Sequence, residues 1–238
     1  MENHDSAFGR AGREPVAVRK PRADGVESRR AILHAAANLA TTRGLEGLSI
    51  GDLAKHIGMS KSGLYAHFRS KEELELATIE TAAEIFDRDV VNPLNGSPGG
   101  LARVRALSEA FLGHLERRVF PGGCFFATVA AQMASRPGRA RDRVLELQRR
   151  WVQQFADALR QARDAGELLA GTDIDQLVFE ITAMMIRANF AWIVTGDTRV
   201  LEQARVGIGH ALERAVPRGG AGRASDTRPT RERSRSRA

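Results

Sequence analysis

Apolar residues recur along this chain at spacings of three and four, and no segment alternates convincingly as a strand. Residues 28–43 place Ile32, Ala36, Leu39 and Ala40 on one face, and Gly44 ends that helix. Ser49 is an N-cap candidate for a short helix whose inner face is Ile50, Leu53, Ala54 and Ile57. Gly58 falls where the chain must reverse with a positive φ, and Met59 can fill the corner. Ser60 opens a second short helix to about Phe68, with Leu64 and Phe68 facing inward. Ser70 and Glu73 form a capping box that starts a longer helix, 71–91, ahead of Asn92-Pro93. The breaker-rich loop 92–100 follows. Further helices are predicted over 101–118, 124–135, 139–165, from Asp173 to about 194, and to about 216 at the end. Of these, 139–165 is the most clearly amphipathic, with Val144, Leu147, Trp151, Phe155, Leu159 and Ala162 on one side. Nine helices with short connections make an all-α protein.

The segment 49–68 carries the chemistry. Two short helices joined by a tight turn, behind one supporting helix and ahead of a capped long one, form a helix-turn-helix layout. Lys61, Ser62, Tyr65 and His67 point away from Leu64 and Phe68, on a helix that contains no acid. A helix in a DNA groove needs phosphate contacts for register and base contacts for sequence. Lys71 opens a helix, where free N–H groups already favour an anion, so it is assigned to phosphate with His67, Tyr65 and Ser49. Lys61 and Ser62, on the first turn of the second helix, are placed to reach base edges; Lys61 can donate to guanine O6 and N7. Ser60 caps that turn, and Gly63 leaves room for close approach to DNA.

Composition sharpens this picture only in part. The 238 residues carry 36 basic and 29 acidic groups, net +7, with a pI near 10.6. The last 21 residues hold seven Arg against Asp226 and Glu232, so much of the excess sits in an Arg/Ser-rich tail rather than in the folded body. Residues 1–25 and 217–238 read as disordered by composition. The first of these arms offers Arg19, Lys20 and Arg22 to a minor groove. Only four of the 36 basic residues are lysines, and Lys55, Lys61 and Lys71 fall in or beside the helix-turn-helix. A compact ammonium suits phosphate contact. The stretch 178–194 is the most apolar, yet it contains Glu180, Arg187 and Asn189; it reads as a buried helix, with no membrane partner expected. With no secretory signal visible, a cytoplasmic location is expected.

At residues 26–86 the chain resembles the TetR family of one-component transcriptional regulators. The likeness rests on Ile32, Ala36, Gly44, Leu53, Ala54, Gly58, Ser60, Gly63, Leu64, Tyr65, His67, Phe68, Lys71, Glu73 and Leu74, most of all the run GLYAHFRSKEEL over 63–74. The resemblance implies an N-terminal three-helix DNA-binding domain (26–86) and a C-terminal helical ligand-binding and dimerisation domain (87–216). It implies a homodimeric repressor that binds an operator in double-stranded DNA and leaves it when a small molecule binds. It also places the dimer interface on the last two helices. There Ala183, Ala188, Ala204, Gly207 and Ala211 are small, and Ile181, Trp192 and Ile208 large.

A small apolar or amphipathic effector is expected in the body, against Phe111, Phe125, Met133, Trp151, Phe155 and Met184. Any helical core also contains such residues. An enzyme is not expected. The sequence has no Gly-rich phosphate loop, no nucleophile elbow and no metal-spaced His, Cys or Asp set, so neither cofactor nor metal is anticipated. The alternative is a regulator sensing oxidants or electrophiles through Cys124, the one cysteine, if a helix N-terminus lowers its pKa.

Overall fold

Side-chain caps start four of the helices, and left-handed glycines close several, so the chain's own punctuation sets most element boundaries. In the computed structural model, which describes residues 21–133 and 137–217, the helices are α1 (Pro21–Arg43), α2 (Ile50–His56), α3 (Lys61–His67) and α4 (Lys71–Phe86), then α5 (Gly100–Glu116), α6 (Phe125–Met133), α7 (Arg139–Asp164), α8 (Ile174–Thr195) and α9 (Arg199–Ala215). No strand occurs among the described residues. Ser49, Ser60, Ser70 and Asp173 each accept a backbone N–H at a helix start. The protein is all-α.

Two boundaries differ from the sequence reading. α1 begins at Pro21 rather than at 28, because proline suits a first helical position and the extra turns need no apolar face. The expected arm 1–25 therefore loses its last residues to α1; the part before Pro21, with Arg19 and Lys20, lies outside the described residues, as does the tail from 218. α4 is α-helical only to Phe86, and Asp87–Val91 continues as a wider π turn within which Val90 is buried.

The described residues pack as two units: the chain up to Asp89 with Arg117–Gln148, and Val90–Glu116 with the chain from Arg149. The first unit is larger than the segment 26–86 expected from the sequence, because α6 and the first half of α7 share its core. Ile32, Ala36, Leu53, Leu64, Phe68 and Leu74 are buried in one cluster with Phe125, Val129 and Val144. The loop before α6 docks on the end of α1: the Gly122 N–H donates to Thr41 Oγ1 at 3.1 Å, and Thr128 Oγ1 donates to the Gly122 carbonyl at 3.0 Å. Arg143 of α7 grips Glu80 of α4 with two bonds of 2.6 and 2.8 Å. The Gly122–Thr41 and Arg143–Glu80 contacts join residues 81 and 63 positions apart, which local periodicity does not reveal.

In the second unit α8 and α9 form a hairpin, and α5 packs against both. Gly196 ends α8 in the left-handed conformation. Glu167 Oε2 accepts the Leu101 N–H at 2.8 Å and so serves the open start of α5. Arg205 of α9 lies among Glu109, Glu116 and Glu202, and Arg214 pairs with Glu180 at 2.6 Å. α8 is long and apolar enough to cross a membrane by composition, with a mean hydropathy of 1.5 over its best window. Its packing against α5 and α9, the ion pair at Glu180 and the buried Asn189 make it a core helix of this unit.

The hairpin buries six of the eight residues expected at the interface, while Ala183 is exposed and Gly207 half-buried. Ile181, Trp192, Ile208, Ala188, Ala204 and Ala211 are buried within the unit, so they hold α8, α9 and α5 together. The large apolar residues left outside are Phe179, Ile186, Phe190, Ile193 and Val194 of α8, with Val206 of α9. Both sets recur at helical spacing, and only the packing partners say which face is which.

Gly122 gives a direct test of the α1 docking. A Cβ there would lie 2.0 Å from the Thr41 carbonyl oxygen, backbone that cannot move unless α1 moves. Gly122→Ala should cost roughly 1–3 kcal/mol, as overpacking does, seen as a lower midpoint in a urea melt. Stability equal to that of the parent protein would refute this close approach.

Candidate nucleic-acid interface

A seven-residue helix is marginal in water, so both short helices of this unit depend on caps and burial. In α2 the Asp52 N–H donates to Ser49 Oγ at 3.0 Å, and Ser49 Oγ donates to the Asp52 carboxylate at 2.6 Å. Leu53 and Ala54 are buried. The turn closes with the Met59 N–H on the Ala54 carbonyl at 2.9 Å, and Gly58 sits at φ +70° with open space around it. Left-handed backbone, not crowding, calls for glycine here.

α3 follows at once. The Gly63 N–H donates to Ser60 Oγ at 3.0 Å, and the Ser60 and Ser62 hydroxyls lie 3.2 Å apart. Leu64 and Phe68 are fully buried, so the opposite face is fixed by helical geometry. Lys61, Ser62 and Tyr65 stand exposed on it, Tyr65 at 48% of its free surface, which removes the packing role that tyrosine also fits. His67 is half-buried, its ring 6.4 Å from that of Phe68. Gly63 is tighter than it looks, since a Cβ would come within 3.1 Å of Ser60 Oγ. Lys71, exposed at the start of α4, donates to the Glu46 carbonyl at 2.6 Å and lies 3.7 Å from Glu75. Its ammonium thus also ties α4 to the α1–α2 loop. The eight predicted DNA-facing residues all fall on this one stretch, on α2's cap, α3 and the start of α4.

Sequence reasoning passed over the group at the far end of α3. Arg29 of α1 donates to the His67 carbonyl at 3.1 Å, and its guanidinium carbon lies 4.4 Å from the centre of the Phe68 ring. A signal was available: Arg29 precedes Ile32 by three and Ala36 by seven, so it lies on the buried stripe of α1 and must find partners there. A groove between α1 and α4 in the same unit, about 580 Å³, holds His34. Burial, then the charges of Arg30 and Arg88, hold that imidazole below its ordinary pKa.

The six predicted effector-pocket residues are divided between the two units. Phe125 and Met133 belong to the core around α1 and α6. Phe111, Trp151 and Phe155 form an aromatic stack in the second unit, with centroids 6.2 and 5.1 Å apart, and Trp151 is the half-buried member. Met184 instead lies in the groove between α8 and α9, where a Cβ on Gly207 would meet its sulfur at 2.6 Å. Cys124 does precede α6, and the amides of Ala127 and Phe126 favour its thiolate. Burial outweighs them and pushes the thiol up, at 3% exposure. That is the opposite of what a thiol sensor needs, and it corrects the alternative reading.

Three kinds of comparison agree with this architecture. Residues 32–78 match the family described as bacterial regulatory proteins, tetR family, and residues 100–208 match the tetracyclin repressor-like C-terminal domain. The nucleoid occlusion factor SlmA of Vibrio campbellii is 31% identical over 136 residues, covering 57% of this chain and 68% of that protein. The transcriptional regulator AcuR of Cereibacter sphaeroides is 26% identical over 155 residues, 65% of this chain and 71% of its own. A TetR transcriptional regulator of known structure from Chloroflexus aurantiacus superposes with a TM-score of 0.75 at 27% identity, covering 82% of this chain and 98% of its own. Capped α3, its exposed donors and these matches lead to one conclusion: the chain belongs to the TetR family of DNA-binding transcriptional regulators and is not an enzyme.

Proposed function

We propose that the protein is a repressor that binds an inverted-repeat operator as a homodimer and leaves it when a small apolar or amphipathic molecule binds. The observation that carries the DNA half of this reading is the row of exposed donors, Lys61, Ser62 and Tyr65, on a helix anchored by Leu64 and Phe68. In this reading residues 26–86 read DNA, and 87–216 bind the ligand and the second subunit. Lys61 and Ser62 meet base edges over Gly63, while Ser49, Tyr65, His67 and Lys71 meet phosphates and Ser60 holds the first turn of α3.

Lys61 and Lys71 separate the two kinds of contact. Lys71→Ala should weaken binding to all duplexes alike and reduce the salt slope by about 1. Lys61→Ala should also relax preference at one base pair, at roughly 1–3 kcal/mol. Both are read by titration on a duplex that the protein selects from a random pool. An unchanged selected sequence for Lys61→Ala would remove it from base readout.

The reach of one recognition helix and the outer face of α8 support a second subunit. One recognition helix covers few base pairs, and two-fold readers match two half-sites. Phe179, Ile186, Phe190 and Val194 recur at spacings of seven, four and four, and so form one exposed apolar stripe on α8, with Val206 beside it. A self-complementary stripe of this kind suits a two-fold contact with a second copy. The double variant Phe179→Glu, Phe190→Glu should sediment as a monomer and lose operator affinity, with its helicity intact. A double variant that remains dimeric would place the interface elsewhere.

For the effector, the aromatic stack of Phe111, Trp151 and Phe155 supports an apolar or amphipathic molecule rather than a strongly polar one. A ligand shifts DNA binding only by its differential affinity for two arrangements of the protein. Trp151→Ala should change effector affinity in calorimetry against a panel of hydrophobic compounds. A fall in stability of about 3–5 kcal/mol with unchanged affinity would make Trp151 plain core.

A further inference from the structure

We infer that Arg29 is a positioning residue for DNA readout: it fixes the angle of α3 by holding that helix's C-terminal end and the corner into α4, without touching DNA itself. The inference rests on the reading of α3 as the recognition helix. Arg29 lies outside the matched stretch 32–78.

Three contacts meet at one guanidinium. Nη1 donates to the carbonyl of His67, the last residue of α3, at 3.1 Å. That carbonyl is one of those a helix end leaves without an intrahelical partner, and a cation there also suits the helix dipole. The guanidinium plane lies over the Phe68 ring, 4.4 Å from centre to carbon, and Phe68 is the fully buried C-cap of α3. Nη2 lies 3.9 Å from Glu73 Oε1. The other oxygen of Glu73 accepts the Arg69 N–H at 2.9 Å, while the Glu73 N–H donates to Ser70 Oγ at 3.1 Å. Arg29 therefore joins the end of α3 to the capping box of α4 and braces both against α1.

The N-terminal end of α3 is held by the Ser60 cap and the turn, so its tilt depends on how the other end is held. The stem between is two turns long, and only Leu64 and Phe68 anchor it inward. A planar fork can donate to a carbonyl, stack on a ring and face a carboxylate at once; an ammonium on a flexible stem cannot do all three. Arg29→Lys keeps the charge and loses the geometry. If Arg29 instead met a phosphate, the lysine would largely replace it.

The test uses the full chain with Arg29→Lys, Glu73→Gln and Lys61→Ala. Binding is titrated at several salt concentrations on a duplex selected by the parent protein and on a scrambled duplex of equal length. For Arg29→Lys the expected result is a loss of about tenfold in affinity for the selected duplex, the scale of one charged hydrogen bond. The scrambled duplex should bind as before, with an unchanged salt slope and a melting midpoint near the parent's. Glu73→Gln keeps a capping-box residue and should show a smaller loss in the same direction. Affinity for both duplexes unchanged in Arg29→Lys would fit a phosphate contact that the lysine replaces, and would overturn the inference. An unchanged ratio of selected to scrambled binding would overturn it, and so would a collapsed melting midpoint, which marks a general structural role. If Lys61→Ala relaxes base preference while Arg29→Lys does nothing, only the inference about Arg29 falls. If the parent protein selects no sequence, the recognition-helix reading falls with it.

Discussion

The burial of Leu64 and Phe68 is the contact on which the proposed DNA-facing surface depends. α3 has seven residues, too few to hold a helix in water by backbone bonds alone. Removing two large side chains from water contributes roughly 1.5–3 kcal/mol each toward holding the helix in place. Once those two are fixed inward, helical geometry fixes Lys61, Ser62 and Tyr65 outward. The Ser60 cap and the Arg29 fork then act on what burial has already formed, one at each end of the helix.

That burial is shared with elements far along the chain. The core around α3 includes α1, α2 and α4, and it continues into Phe125, Val129 and Val144. Through the Thr41–Gly122 contact and the Arg143–Glu80 pair, α6 and the first half of α7 belong to the same packing unit as the helix-turn-helix. A change at α6 is therefore a change in the body that carries α3. No separate connecting rod through α4 is needed for a strain there to be felt at α1. Close-packed interiors transmit small displacements because they have little free volume to absorb them.

Polar groups in this protein are placed where they settle direction rather than add much stability. Arg205 among three carboxylates and Arg214 on Glu180 lie at the surface of the second unit, where exposed pairs contribute little each. They link α9 to α5 and α8 around the apolar contacts that hold the unit together. The thiol of Cys124 illustrates the converse. A helix start offers it two amides, but desolvation outweighs them, and the side chain behaves as a small core residue.

Sequence by itself determined what is local. The caps at Ser49, Ser60, Ser70 and Asp173, the reversal at Gly58, the inward pair Leu64 and Phe68 and the outward donors all depend on neighbours within a few positions. Spacing and hydrogen-bonding capacity are enough to read them. Helix ends without such punctuation, at Pro21 and at Phe86, were not legible, because no capping serine or aspartate precedes the first and no glycine follows the second to mark the change of backbone there. Only the tertiary structure decided which side of α8 faces its own unit. Ile181 and Trp192 pack inward while Phe179 and Phe190 stay outside, yet all four suit a core by composition. It alone assigned Phe125 to one packing unit and Trp151 and Met184 to the other, and it alone gave Arg29 its partners 38 and 44 residues away. Periodicity along one helix says that a face is apolar; what covers that face is set by residues distant in sequence, and no local pattern encodes them.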